Sequence, residues 1–179
     1  MMDPKDVLIK ILNEKKLVGT DKKAFVAGNS KVICFQDLPL YSVSQNAYYE
    51  GVDLNAKPGY ISYKENARYV PFGLLFTKKT LWDKGARPVI YEDKRSFLEK
   101  LDSSEHWRVV HMDLSNPADL KDFTHEREWR LKTDEFTFEY EDVYILLDES
   151  FSYRYFVKHA SEEIQNKIRG IIMLHPVIF

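Results

Sequence analysis

The residues most able to do chemistry stand together in one short run: His125, Glu126, Arg127, Glu128, Trp129, Arg130 and Leu131. In an extended chain successive side chains point to opposite faces. The spacing therefore predicts Glu126, Glu128 and Arg130 on one face, with Arg127, Trp129 and Leu131 on the other. Two carboxylates and a guanidinium in a row are costly to bury without partners. Such a row is solvated, paired into a network, or turned towards a ligand. Paired carboxylates on one strand face can hold a sugar hydroxyl and stabilise cationic charge at an anomeric carbon. If both are desolvated, their proximity also raises at least one of their pKa values. The competing reading is an exposed edge strand carrying Glu–Arg pairs. The residues alone leave both open.

The other chemistry-bearing residues carry weaker patterns. Cys34 falls within an apolar strand segment, where a lone cysteine is a packing residue unless a basic environment activates it. The five histidines, His106, His111, His125, His159 and His175, make no i, i+4 pair with an intervening Glu, and no metal site is expected. Neither Gly-x-x-x-x-Gly-Lys nor Gly-x-Gly-x-x-Gly is present, which argues against a phosphate-cradling loop. Lys78 and Lys79 follow an apolar run and could face an anion at a helix start, the alternative being a solvated turn.

The elements that must position these residues read as follows. Asp3 caps a helix over residues 4 to about 17, with Pro4 in its first turn, an apolar stripe of Val7, Leu8, Ile11 and Leu12, and Gly19 as terminator. Strands are predicted at 31–36 and 88–91, and a short helix at 41–51. Residues 52–68 read as a loop around a short strand at 60–63. The densest apolar run, 69–77, suits a buried central strand, and Gly85 closes a helical turn over 78–85. A helix follows at 94–101, a strand or buried turn at 107–112, and a turn from Asn116 to Leu120. Strands at 136–140, 142–147 and 171–174 enclose a helix over 161–169 capped by Ser161.

Composition sets the frame. With 179 residues, 44% hydrophobic and 30% charged, the chain is expected to fold as one domain, 1–179, with a real core. The net charge of −2 offers no global field for nucleic acid or anionic lipid. The 14% aromatic share suits β-rich structure or an aromatic-lined cleft. A single cysteine excludes an internal disulfide, no run approaches a membrane span, and the opening Asp3, Pro4, Lys5, Asp6 is unlike a signal peptide. A soluble cytoplasmic protein with no membrane partner is expected.

Three blocks together resemble a known family. Residues Val32 to Leu40 resemble the block of a strand followed by F-T-D/E-x-P-L in the AbiGi family, associated with abortive phage infection. Phe72 to Lys78, followed by Pro88 to Tyr91, is similar to that family's Y-G-x-x-F-x-K and P-V-x-Y block, and Glu126 to Arg130 matches its E-x-E-W-R block. The layout is also distantly similar to DarT-type ADP-ribosyltransferases. This resemblance implies an α+β fold with a mainly antiparallel, strongly twisted, split sheet flanked by short helices. It further implies NAD as cofactor and a protein or nucleic acid as acceptor of ADP-ribose. Carried over, Glu128 is the catalytic carboxylate and Glu126 the acceptor-facing one, with Trp129 as core anchor and Arg130 as counter-ion.

One departure bears on the cofactor. Related proteins begin with a strand whose His or Arg holds NAD, whereas here the first helix starts at residue 4, and Gln36 stands where a hydroxyl residue is common. Two alternatives follow. Cationic groups such as Arg68, Lys78, Arg108 or Arg130 supply the cofactor contact. Otherwise NAD binding is lost, leaving a non-catalytic module that neutralises a toxin or defence protein as an antitoxin or anti-defence factor. A domain that senses NAD-derived signals without chemistry is a third reading.

Overall fold

A computed structural model describes residues 3–21, 30–51 and 69–175. In chain order they form α1 (Pro4–Glu14), β1 (Lys16–Val18), β2 (Val32–Gln36), α2 (Leu40–Asn46), β3 (Gly73–Leu75) and α3 (Lys78–Asp83). Next come β4 (Arg87–Pro88), β5 (Ile90–Glu92), α4 (Lys94–Lys100), β6 (Val109–His111), β7 (Glu128–Lys132) and β8 (Glu135–Thr137). The chain continues with β9 (Tyr144–Leu147), α5 (Ser150–His159), α6 (Glu162–Lys167) and β10 (Gly170–Met173). Three 3-10 turns, Ser103–Arg108, Thr124–Glu126 and Tyr140–Asp142, and one π-type turn, Ala47–Gly51, complete the regular structure.

Helix and strand are mixed, as the sequence predicts for an α+β chain. Among the described residues the strands form four small sheets, ordered β1-β8, β10-β9-β3, β2-β7-β4 and β5-β6. Four of the six pairings are antiparallel; β10 with β9 and β5 with β6 are parallel. Each parallel pair is joined through helices, since parallel neighbours need a long crossover. No described helix is long and apolar enough to cross a membrane.

The chain divides into two compact units, one made of 1–15, 38–76 and 138–179, the other of 16–37 and 77–137. In the first, Asp3 caps α1 by accepting from the Lys5 N–H at 2.9 Å, and Leu8 and Leu12 are buried while Val7 stays exposed. The helix ends earlier than its apolar spacing predicts. Lys15 adopts a left-handed conformation at φ 49°, and its N–H closes onto the Leu12 carbonyl. The predicted central strand 69–77 is instead the short edge strand β3, because β9 takes the middle of its sheet. Phe156, Ile145, Leu147, Ile164 and Leu174 make the core of this unit. Its helix α5 has no counterpart in the sequence reading, whereas α6 is capped as predicted, by Ser161 accepting from the Ile164 N–H. The predicted strand at 60–63 lies outside the described residues.

The second unit holds the acidic motif. Its core includes Val32, Ala86, Phe97, Val109, Leu131 and Phe136. Gly19 does not end a helix here. It follows β1, and its N–H donates to the Asp134 carbonyl at 2.8 Å, while a Cβ at this position would stand 2.3 Å from the Thr133 carbonyl oxygen. Gly19→Ala is therefore expected to cost about 1–3 kcal/mol, because backbone rather than a flexible side chain must move. Urea denaturation would measure it.

Candidate functional site

Strand β7 is the middle strand of its sheet, with β2 on one side and β4 on the other. The exposed-edge reading of the acidic motif is thereby excluded. The register sets Cys34 opposite Arg130 and Gln36 opposite Glu128 across the β2 side. Residues directly opposite in an antiparallel pair share a face, so Cys34, Gln36, Glu128 and Arg130 form one cluster. Gln36 and Cys34 are exposed, while Glu128 and Arg130 beside them on the neighbouring strand are 8% and 2% exposed.

The predicted row of three charges is shorter by one. Glu126 lies in the 3-10 turn before the strand, because Arg127 takes a left-handed backbone conformation at φ 45° and turns the chain into β7. A non-glycine residue in that region costs about 1–2 kcal/mol. Part of the compensation is visible: Arg127 Nη2 lies 3.2 Å from Asp37 Oδ2, and its carbonyl accepts from the Asp37 N–H at 3.2 Å. Glu126 is nevertheless buried, at 9% exposure, one residue removed from the start of the strand that carries Glu128.

Arg130 anchors the cluster. Its Nε donates to Glu128 Oε1 at 2.8 Å and its Nη2 to Oε2 at 3.4 Å. On the other side, its Nη1 donates to the main-chain carbonyls of Trp107 and Val109, both at 3.0 Å. A planar guanidinium is suited to this, since its fork can meet a carboxylate on one edge and carbonyls on the other. The Glu128 N–H donates to the Tyr91 hydroxyl at 3.1 Å. Burial raises the Tyr91 pKa, and the charges of Glu128 and Glu126 act in the same direction, so both carboxylates lie within electrostatic reach of this phenol. Burial of the sulfur, and then the charge of Glu128, push the Cys34 thiol up to about 12. The residue keeps an exposed surface all the same, so it is not a core residue, while the raised thiol agrees with the expectation that no basic environment activates it.

The remaining predicted contacts stand apart from this face. Lys78 Nζ lies 2.6 Å from Asp37 Oδ2 and 5.9 Å from the centre of the Trp129 ring, on the opposite side of β7 from Glu128. Thr77 caps α3, accepting from the Thr80 N–H at 3.1 Å. Arg108 is held by the Pro88 carbonyl and by Glu105 at 2.7 Å. Trp129 is half-buried and meets Trp82 edge to face. Arg68 lies outside the described residues. Tyr91, Gln36 and Cys34 were not legible as neighbours of Glu128, because strand register rather than sequence spacing brings them there.

No family model matches the chain, and no curated protein or solved structure matches it.

Proposed function

We propose that this chain is an AbiGi-like protein of the phage–bacterium conflict, with an ADP-ribosyltransferase-like fold, that transfers ADP-ribose from NAD to a protein or nucleic acid. The observation that carries the reading is the Glu128 carboxylate, fixed by Arg130 beside the exposed Cys34 and Gln36, with Glu126 buried two residues before it. A carboxylate held in place before the reaction stabilises positive charge at an anomeric carbon without reorganising. Glu128 is then the catalytic group, and Glu126 orients the acceptor. Incubation with radiolabelled NAD and bacterial lysate tests this. Label transfer by the wild type and its loss in Glu128→Gln, with circular dichroism unchanged, is the expected result. Absence of both transfer and NAD hydrolysis in the wild type overturns it.

A second reading has its own support. Both Glu128 oxygens already accept from Arg130, which suits a structural ion pair in a non-catalytic module that neutralises a toxin or defence protein. In that case a stable partner is captured by the wild type and equally by the doubly substituted Glu128→Leu, Arg130→Met chain, which removes the carboxylate together with its counter-ion.

A further inference from the structure

A second cluster, separate from the acidic motif, sits where the parallel pair β5–β6 ends. Asp93 directly follows β5, His111 is the last residue of β6, and Asp113 comes two residues later. In the parallel register Glu92 lies opposite His111, so the carboxyl ends of both strands emerge side by side. The segments that follow the two strands therefore start next to each other. One carboxylate oxygen from each aspartate and one ring nitrogen of His111 all lie within 4.8 Å of one another.

The donor set and its geometry point to a cation. Metal–ligand bonds of about 2.0–2.2 Å place tetrahedral donors roughly 3.3 Å apart, so small side-chain adjustments suffice to close this group around an ion. The two carboxylates are held by their own backbone. Asp93 Oδ2 accepts from the Ser96 N–H at 3.3 Å, and Asp113 Oδ1 from the Ser115 N–H and hydroxyl at 2.9 and 2.6 Å. Such outer hydrogen bonds orient ligating carboxylates in metal sites. Bringing two carboxylates this close is opposed by their charge. The hydrogen bonds from Ser115, and then the charges of His111 and Lys121, hold the Asp113 carboxyl below its ordinary value, although Lys121 is itself paired with Asp119 at 3.1 Å. One imidazole with two carboxylates suits zinc and other first-row divalent metals better than magnesium or calcium, which prefer oxygen alone. All three ligand residues are partly exposed, so an ion has access.

We infer that Asp93, His111 and Asp113 form a binding site for a divalent transition metal of the zinc class at the carboxyl ends of β5 and β6. Three protein ligands leave coordination positions for water or a substrate oxygen, as in catalytic rather than structural zinc sites. The inference is independent of the proposed ADP-ribosyl chemistry, because none of the three residues takes part in it. The pattern escapes sequence inspection because Asp93 lies 18 residues before the His111, Asp113 pair and joins it only through the pairing of β5 with β6.

Calorimetric titration of the EDTA-treated, dialysed full-length protein with zinc chloride tests the site. One equivalent is expected to bind with a dissociation constant of about 10 µM or tighter, and His111→Gln and Asp113→Asn each weaken it by roughly tenfold or more. His159→Gln, in α5, leaves binding unchanged. In the unsubstituted protein, zinc shifts the imidazole NMR resonances of His111, a readout that does not depend on any variant folding. Saturation that leaves the His111 resonances in place overturns the assignment. So does the absence of saturable binding up to about 100 µM zinc.

Discussion

Glu128→Gln is expected to lower the stability of the unit that contains β7 by about 3–5 kcal/mol, measured by urea denaturation. The reason is the inequality between the two partners. Arg130 is 2% exposed and cannot lose its proton, so removal of the carboxylate leaves a permanent charge in a site with almost no water. The carbonyls of Trp107 and Val109 still accept from Nη1, but they carry only partial charge. Replacement of both partners, in Glu128→Leu, Arg130→Met, is expected to recover most of the loss, because an apolar pair of similar volume has no desolvation cost to offset. The double-mutant cycle then gives a coupling energy of opposite sign to the single losses. Additive losses in the two single variants and the double variant would show that the ion pair does not control this part of the fold. The same cycle bears on function. A double variant that folds but transfers no ADP-ribose separates the chemical role of Glu128 from its architectural one.

The thiol of Cys34 is expected to react with iodoacetamide some tens of times more slowly than an ordinary thiol near pH 8, the loss of thiolate being offset in part by the greater nucleophilicity of a more basic thiolate. Its pKa is pushed from 9.0 to about 12, and each unit removes a factor of about ten in thiolate. The residue keeps an exposed surface, so the reagent reaches it, and partial burial of the sulfur slows the reaction further. The rate should therefore keep rising with pH through 10 and 11, where an unperturbed cysteine has levelled off. Burial is the first cause and the Glu128 charge the second, so Glu128→Gln should accelerate alkylation at pH 8 under folding conditions. The sign for stability follows from the same shift. A thiol whose folded pKa lies above its unfolded value holds its proton longer in the folded state. Stability is then unaffected well below pH 9 and falls as the pH rises from about 9 towards 12. A rate that levels off near pH 9 in the wild type would contradict the environment described for this strand.

The sequence by itself determined the local features whose causes are local. Asp3 and Pro4 start α1, Ser161 starts α6, and Gly85, at φ 99°, closes the turn after α3, because caps and left-handed positions depend on residues within one turn. The shared face of Glu128 and Arg130 follows equally from the two-residue period of a strand. Tertiary structure decided what that face means. It ended α1 at Lys15 by pairing Lys16–Val18 with β8, and it turned Glu126 out of the strand through Arg127. Placement of β7 in the middle of its sheet removed its edges from solvent, and the segment of Trp107 and Val109 covers Arg130 on the charged face. The partners of Arg130 lie 21 and 23 residues away, and Cys34 reaches it only through the register of β2. The triad of Asp93, His111 and Asp113 is assembled in the same way, by two parallel strands ending together. Pairing between strands is set by which apolar faces bury best against each other, a sum over the whole core. No window of the sequence contains that sum, and so the chain displays its charged residues openly while withholding which of them will meet.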